Sequence, residues 1–204
     1  MARPNNGRLA QHVNNMREYS QIAGTAQIAR RYLAMNAFDG VLTTIGVLMG
    51  SYLGGVRDAA IVIRTGVATS IAMGVSGLWG AYLTEAAERQ RELTELENTM
   101  LTDLARTKIG RASRLAVVVV AVVDGLAPFI AALTVLIPLF ASPLIGNILI
   151  GYALSLAVAL LSLFGLGLFL GHISGRSLVG YGLRTLIAGL VSIALSILVG
   201  GVEH

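Results

Sequence analysis

Five stretches of this chain are apolar over roughly 20 residues each, the length an α-helix needs to cross a bilayer at a rise of 1.5 Å per residue. They fall near 32–54, 59–83, 115–140, 144–170 and 181–199. Only residues 55–58 separate the first two, and only 141–143 the third and fourth, so each pair is expected to form a tight hairpin turned by its Gly or Pro residues. Between the second and third stretches lies the polar segment 84–114, rich in Glu, Leu, Ala and Arg and free of Pro. It reads as a helical extension of the second span that turns near Gly110. The expected fold is therefore all-α: a polytopic membrane protein with a five-transmembrane-helix bundle and a cytoplasmic helical extension after the second helix. It divides into a surface segment 1–31, helices one and two over 32–83, the charged segment 84–114, and helices three to five over 115–204.

Composition strengthens this picture. With 55% hydrophobic and only 13% charged residues in 204, the chain has too little polar surface to coat a soluble globule of its size. The absence of cysteine excludes disulfides, thiolate metal sites and a cysteine nucleophile. The net charge of +4 does not point to nucleic acid, because the basic residues flank apolar spans instead of gathering on one soluble module. The first thirty residues are polar and basic with no early apolar core, so the first span is expected to direct insertion itself. Within 6–31, Leu9, Val13, Met16, Ile22 and Ile28 suit either an amphipathic helix on the membrane surface or a flexible tail.

Lys and Arg near span ends mark the cytoplasmic side of a membrane protein. Arg3, Arg8, Arg17, Arg30 and Arg31 precede the first span, Arg89, Arg91, Arg106, Lys108, Arg111 and Arg114 lie between the second and third, and Arg176 and Arg184 border the last two. The opposite side has Arg57, with Arg64 just inside its span. The expectation is a multi-pass protein of the cell membrane with its N-terminus cytoplasmic and its C-terminus external.

An ionisable side chain at membrane depth costs about 2.5–3.5 kcal/mol on insertion scales, so intramembrane acids are candidates for function. Asp39 and Asp124 are two such acids. At 100° per residue Asn36, Asp39, Thr43, Gly46 and Gly50 share one narrow stripe of the first span. Thr65, Thr69, Met73, Ser76 and Gly80 share a face of the second, where a thioether in line with hydroxyls could join an acid in a cation site. Small residues at such spacing also serve helix packing, and a transmembrane Met is commonly apolar filling. Gly165, Gly167 and Gly171, and the series Ser192, Ser196 and Gly200, read as packing motifs. Asp124, with Pro128 and Pro138 on a similar face, suits either a second pathway element or a hydrogen-bonded kink. Asn36, Thr43, Thr69, Ser76 and Asp124 are thus the candidate pathway residues. Glu85, Glu88, Glu92 and Glu95 line one face of segment 84–114 and could offer hard oxygen ligands to a divalent cation. Glu85 with Arg89, and Arg91 with Glu95, equally have the spacing of surface ion pairs.

Residues 36–50 read Asn-Ala-Phe-Asp-Gly-Val-Leu-Thr-Thr-Ile-Gly-Val-Leu-Met-Gly. This segment resembles the first transmembrane segment of the vacuolar iron transporter family; Ile137-Pro138 is similar to its third span, and residues 182–201 to its closing helix. The resemblance implies a homodimer that exports ferrous iron, and often manganese, from the cytoplasm against protons, with no permanently bound cofactor. Carried over, Asp39 matches the family's first-helix metal-binding aspartate, Met73 stands for its second-helix methionine, and Glu85 and Glu88 resemble the glutamates opening its cytoplasmic metal-binding domain. The chain departs from the pattern at Gly80-Ala81-Tyr82, which lacks the family's glutamate, and an alignment on Tyr82 puts Gly77 where the methionine belongs. The mechanism expected is alternating access around a midplane site, with Asp39 as charged ligand and proton acceptor. An enzyme is not expected, because Asp39-Gly40 and Asp124-Gly125 lie on different helices without neighbouring acids to hold metal and phosphate. The alternative is a non-transporting scaffold or sensor that binds a partner through segment 84–114.

Overall fold

A computed structural model describes residues 24–200, and every regular element among them is a helix: α1 (Thr25–Leu53), α2 (Ala59–Met100), α3 (Lys108–Ile145), α4 (Ile148–Ser174) and α5 (Leu178–Gly200). All five are long and apolar enough to span a membrane. Isoleucine, leucine and tryptophan side chains such as Ile71, Trp79, Ile137, Leu161 and Leu198 stand exposed on the outside of the bundle. In lipid that is the favourable surface, whereas backbone polar groups must be satisfied within each helix. The chain is a multi-pass integral membrane protein.

α1 sits centrally, touching all four other helices; α2 packs chiefly on α3, and α5 chiefly on α4. The core runs through Val41, Ile45 and Leu48 of α1, Leu136 and Leu139 of α3, and Leu163 of α4, all fully buried. Two close approaches set the geometry around α1 and α3. A Cβ on Gly40 would lie 2.5 Å from the Pro128 carbonyl oxygen, and one on Gly125 would lie 2.7 Å from the Gly74 carbonyl oxygen. Glycine at these points lets α3 touch α1 and α2 backbone to backbone, the device by which helices associate in lipid. Gly167 and Gly171 play the same part for α4 against Gly182 and Leu178 of α5. The Thr185 hydroxyl adds a bond across that contact to the Leu163 carbonyl, 2.8 Å away.

Three boundaries differ from those expected. Residues 25–31 do not stand apart as surface segment but form the first turns of α1, since nothing between Thr25 and Asn36 interrupts a helix. The remainder of the expected N-terminal segment, including Leu9, Val13, Met16 and Ile22, lies outside the described residues. Segment 84–114 is not one extension: α2 ends at Met100, and 108–114 already belong to α3. The turn is made by Leu101 at φ 52, by Glu97 accepting from the Leu104 amide at 2.8 Å, and by Asp103 accepting from the Ala105 amide at 2.8 Å. Gly110 lies inside the first turn of α3, where a Cβ would sit 2.6 Å from the Leu104 carbonyl. Its role is to admit the turn, not to make it. Finally, the α3–α4 turn falls at Gly146-Asn147 and not at 141–143. Gly146 takes the left-handed conformation (φ 72) that closes a helix, and the Asn147 side chain caps α4 by accepting from the Leu149 amide at 2.9 Å. Pro143 is carried within α3. It deprives the Leu139 carbonyl of its usual donor, and the Ser142 hydroxyl supplies one at 2.7 Å.

The two ends of the bundle differ in charge. One, here the charged end, holds the start of α1, the close of α2 and the start of α3; the other holds the α1–α2 and α3–α4 turns. At the second end Arg57 lies over the Tyr52 ring at 5.9 Å, Tyr52 meets Tyr152 edge to face at 5.6 Å, and the Tyr152 hydroxyl donates to the Val56 carbonyl at 3.0 Å. Tyrosines with a polar tip and an apolar body suit the lipid–water boundary.

Candidate membrane-embedded site

Tyr32, Asn36 and Asp39 follow one another at helical spacing along α1 from the charged end inward. The Asn36 amide donates to a carboxylate oxygen of Asp124 on α3, and also to the Tyr32 carbonyl at 3.0 Å. Asp124 is 7% exposed and has no ion-pair partner among the described residues. Its other carboxylate oxygen occupies space that Gly77 of α2 leaves open, since a Cβ there would lie 3.1 Å from it and 2.8 Å from the Asp124 carbonyl. That carbonyl is chemically unusual too. Pro128, four residues on, has no N–H to give it, so the ordinary helical bond to it cannot form. Carboxylate and released carbonyl thus meet at one point, where α1, α2 and α3 converge.

Asp39 is placed otherwise. It is exposed on the outside of the bundle and makes no hydrogen bond or ion pair among the described residues, yet it lies near enough to Asp124 for the two carboxylates to interact electrostatically. Thr43, Gly46 and Gly50 of the same stripe are also exposed. Toward the far end this stripe becomes one wall of a groove of about 800 Å³, whose other wall is Ser192, Ser196 and Gly200 of α5. Of the α5 series expected to pack against a neighbouring helix, Gly200 does so, a Cβ there lying 2.8 Å from the Leu53 side chain of α1, while Ser192 and Ser196 line the groove. On α2, Met73 and Thr69 are half-buried and Ser76 is exposed, with Thr69 bonded to its own helix at Thr65 (2.8 Å).

Beyond the apolar part of α2, Glu85 is linked to the bundle by the Tyr32 hydroxyl, 3.4 Å away. It also pairs with Arg89 at 3.6 Å, and Arg89 reaches Glu92 at 3.3 Å. Arg91 pairs with Glu95 at 3.0 Å, both exposed, and Glu88 is exposed beside them. Both ion pairs expected from spacing are formed. Among the described residues no group of three or more acidic or histidine side chains converges on a point that could hold a metal. Within one chain Asp39, Met73 and the four glutamates are dispersed.

Sequence reasoning found both intramembrane acids but not the bond between Asn36 and Asp124, the seat that Gly77 provides, or the link from Tyr32 to Glu85. The only signal was the coincidence of Asn36 and Asp39 on one stripe, because contacts between α1 and α3 leave no trace in spacing.

Fold and site together define a polytopic membrane protein whose described residues include five spanning helices, with a buried carboxylate, Asp124, and an exposed one, Asp39, inside their apolar stretches. No protein-family profile matches the chain. It is a distant homologue of the uncharacterized protein MJ0645 of Methanocaldococcus jannaschii, 28% identical over 147 residues, which cover 71% of this chain and 74% of that protein.

Proposed function

We propose that this chain is a divalent-metal transporter, not an enzyme, that carries Fe²⁺ or Mn²⁺ out of the cytoplasm in exchange for protons. It works as a homodimer in the cell membrane, with its N-terminus cytoplasmic and its C-terminus external. The observation that carries the reading is Asp39, a carboxylate exposed in the middle of a spanning helix with no hydrogen-bond or ion-pair partner among the described residues. A charge there cannot be left to lipid, and intramembrane acids line ion pathways. A second copy packed along Asn36, Asp39, Thr43, Gly46 and Gly50 would remove the stripe from lipid and set two Asp39 carboxylates beside one pathway. The small residues of the α1–α5 groove permit such close approach. Oxygen from Asp39 with sulfur from Met73 suits a borderline divalent cation, and Glu85, Glu88, Glu92 and Glu95 would meet it first at the charged end.

A second reading is a membrane-anchored scaffold that binds a partner through residues 84–114. The pairing of Glu85, Glu92 and Glu95 with Arg89 and Arg91 favours it, because neutralised carboxylates offer less to an arriving cation. Mn²⁺ movement into proteoliposomes, followed with an internal pH dye, separates the two. The transporter moves metal against an opposing proton flux and Asp39→Asn stops both, whereas no flux from folded protein under pH gradients of either sign leaves the scaffold.

A further inference from the structure

Exchange requires a group that is ionised while metal is bound and protonated once it has left. Asp39, as the cation's ligand, can itself take a proton in the cation's place, but it is exposed and no side chain among the described residues holds it. Asp124 is buried, unpaired with any cationic side chain among the described residues, and held by a neutral amide donor from the helix that bears Asp39. We propose that Asp124 is the proton-carrying group of the exchange, an intramembrane carboxylate seated between Asn36 and Gly77 that takes up a proton when the cation at Asp39 departs and releases it when the next arrives. The inference rests on the transport reading and deepens it by separating the proton site from the metal site.

The local chemistry supports the assignment. A carboxylate in a low-dielectric interior is stable ionised only when neighbouring positive charge or donors favour that form. The groups facing Asp124 are Tyr32, Asn36 and Asp39 from α1 and the glycines of α2, with Glu85 and its partner Arg89 one side chain further out beyond Tyr32. A divalent cation at Asp39 would supply the missing positive charge, and its loss would leave two nearby carboxylates in mutual repulsion, which one proton relieves. One proton binds a carboxylate oxygen of Asp124 for each divalent cation released, so one net positive charge leaves with each turnover. Gly77, having no Cβ, sets no side-chain atom against the oxygen that Asn36 does not hold, where the proton would bind. Toward the charged end, Tyr32 stands one turn of α1 before Asn36 and its hydroxyl donates to Glu85. Asn36 and Asp39 lie on adjacent turns of α1, so the state of one site is felt at the other.

The test uses the full chain in liposomes and in lipid nanodiscs. In liposomes, Asp124→Asn is expected to pass Mn²⁺ down its own gradient with the opposing proton flux lost and with indifference to an imposed pH gradient. An unchanged proton flux per Mn²⁺ would overturn the proposal. In nanodiscs, infrared difference spectra between wild type and variants are expected to show the titrating carboxylic-acid band of a buried, weakly hydrogen-bonded acid, at higher frequency than the bands of the water-exposed carboxyls; that band remains in Asp39→Asn, is lost in Asp124→Asn, and returns at a displaced midpoint in Asp124→Glu. Persistence of that high-frequency band in Asp124→Asn overturns the assignment even where that variant carries no metal. Should the wild type move no Mn²⁺, the transport reading fails, and the infrared result still decides whether residue 124 is a protonating site.

Discussion

At Gly40 a methyl group would lie 2.5 Å from the Pro128 carbonyl oxygen and 2.7 Å from its Cα, and neither is the yielding end of a side chain. Gly40→Ala must therefore push α1 away from α3, at a cost of about 1–3 kcal/mol. Thermal unfolding in detergent should show a lowered midpoint, with Gly80→Ala, where the added methyl meets nothing and the helix gains the usual preference for Ala over Gly, as a control that does not lower it. The residue scale is also where the sequence was most and least informative. Asp39 and Asp124 could be singled out because insertion cost is a property of a residue and its depth alone. What holds Asp124 could not, because its donor comes from another helix and its seat at Gly77 is an absence of atoms. Met73, suggested by its place in line with hydroxyls, is half-buried on α2 without a described contact to Asp39.

At the scale of elements, hydropathy sufficed to locate all five helices, since each must present an apolar length to lipid. Their ends were harder. Pro143 was read as a breaker, yet a proline in a membrane helix persists where a nearby hydroxyl satisfies the released carbonyl, as Ser142 does for Leu139. The Gly146-Asn147 pair supplied a left-handed closure and a cap together, and it set the turn. The α2–α3 turn was missed because Leu101 carries it in a left-handed conformation that a leucine rarely adopts. Leu101 is 90% exposed, so its side chain offers little packing in return. Leu101→Asn should raise stability by about 0.5–1 kcal/mol, since Asn tolerates that conformation. An unchanged or lowered unfolding midpoint would show that the turn depends on the leucine side chain.

For the whole molecule, the decisive surface is the one that a single bundle leaves open. Gly46 and Gly50 have no atom within 4 Å of the position a Cβ would take and border the open α1–α5 groove, so a leucine at either site projects into that groove. If two copies meet along this face, Gly46→Leu and Gly50→Leu should shift the protein from dimer to monomer without lowering protomer stability. Single-molecule photobleaching in lipid bilayers counts the copies directly, and a dimer fraction equal to wild type would remove this face from the interface. Sequence indicated the stripe but not that it points outward, because periodicity fixes which residues share a face and never what that face meets.

The unbroken length of α2 has a mechanical consequence. Its 42 residues extend about 63 Å, roughly twice the hydrocarbon thickness of a bilayer. Met100 therefore stands about 39 Å along the axis from Gly74, near the seat of Asp124. Such a rod is a lever arm, and a tilt of about 10° at its buried fulcrum would sweep the tip through roughly 7 Å. A spin label at the tip would thus read out, in water and at several-fold gain, displacements within the lipid too small to follow where they occur.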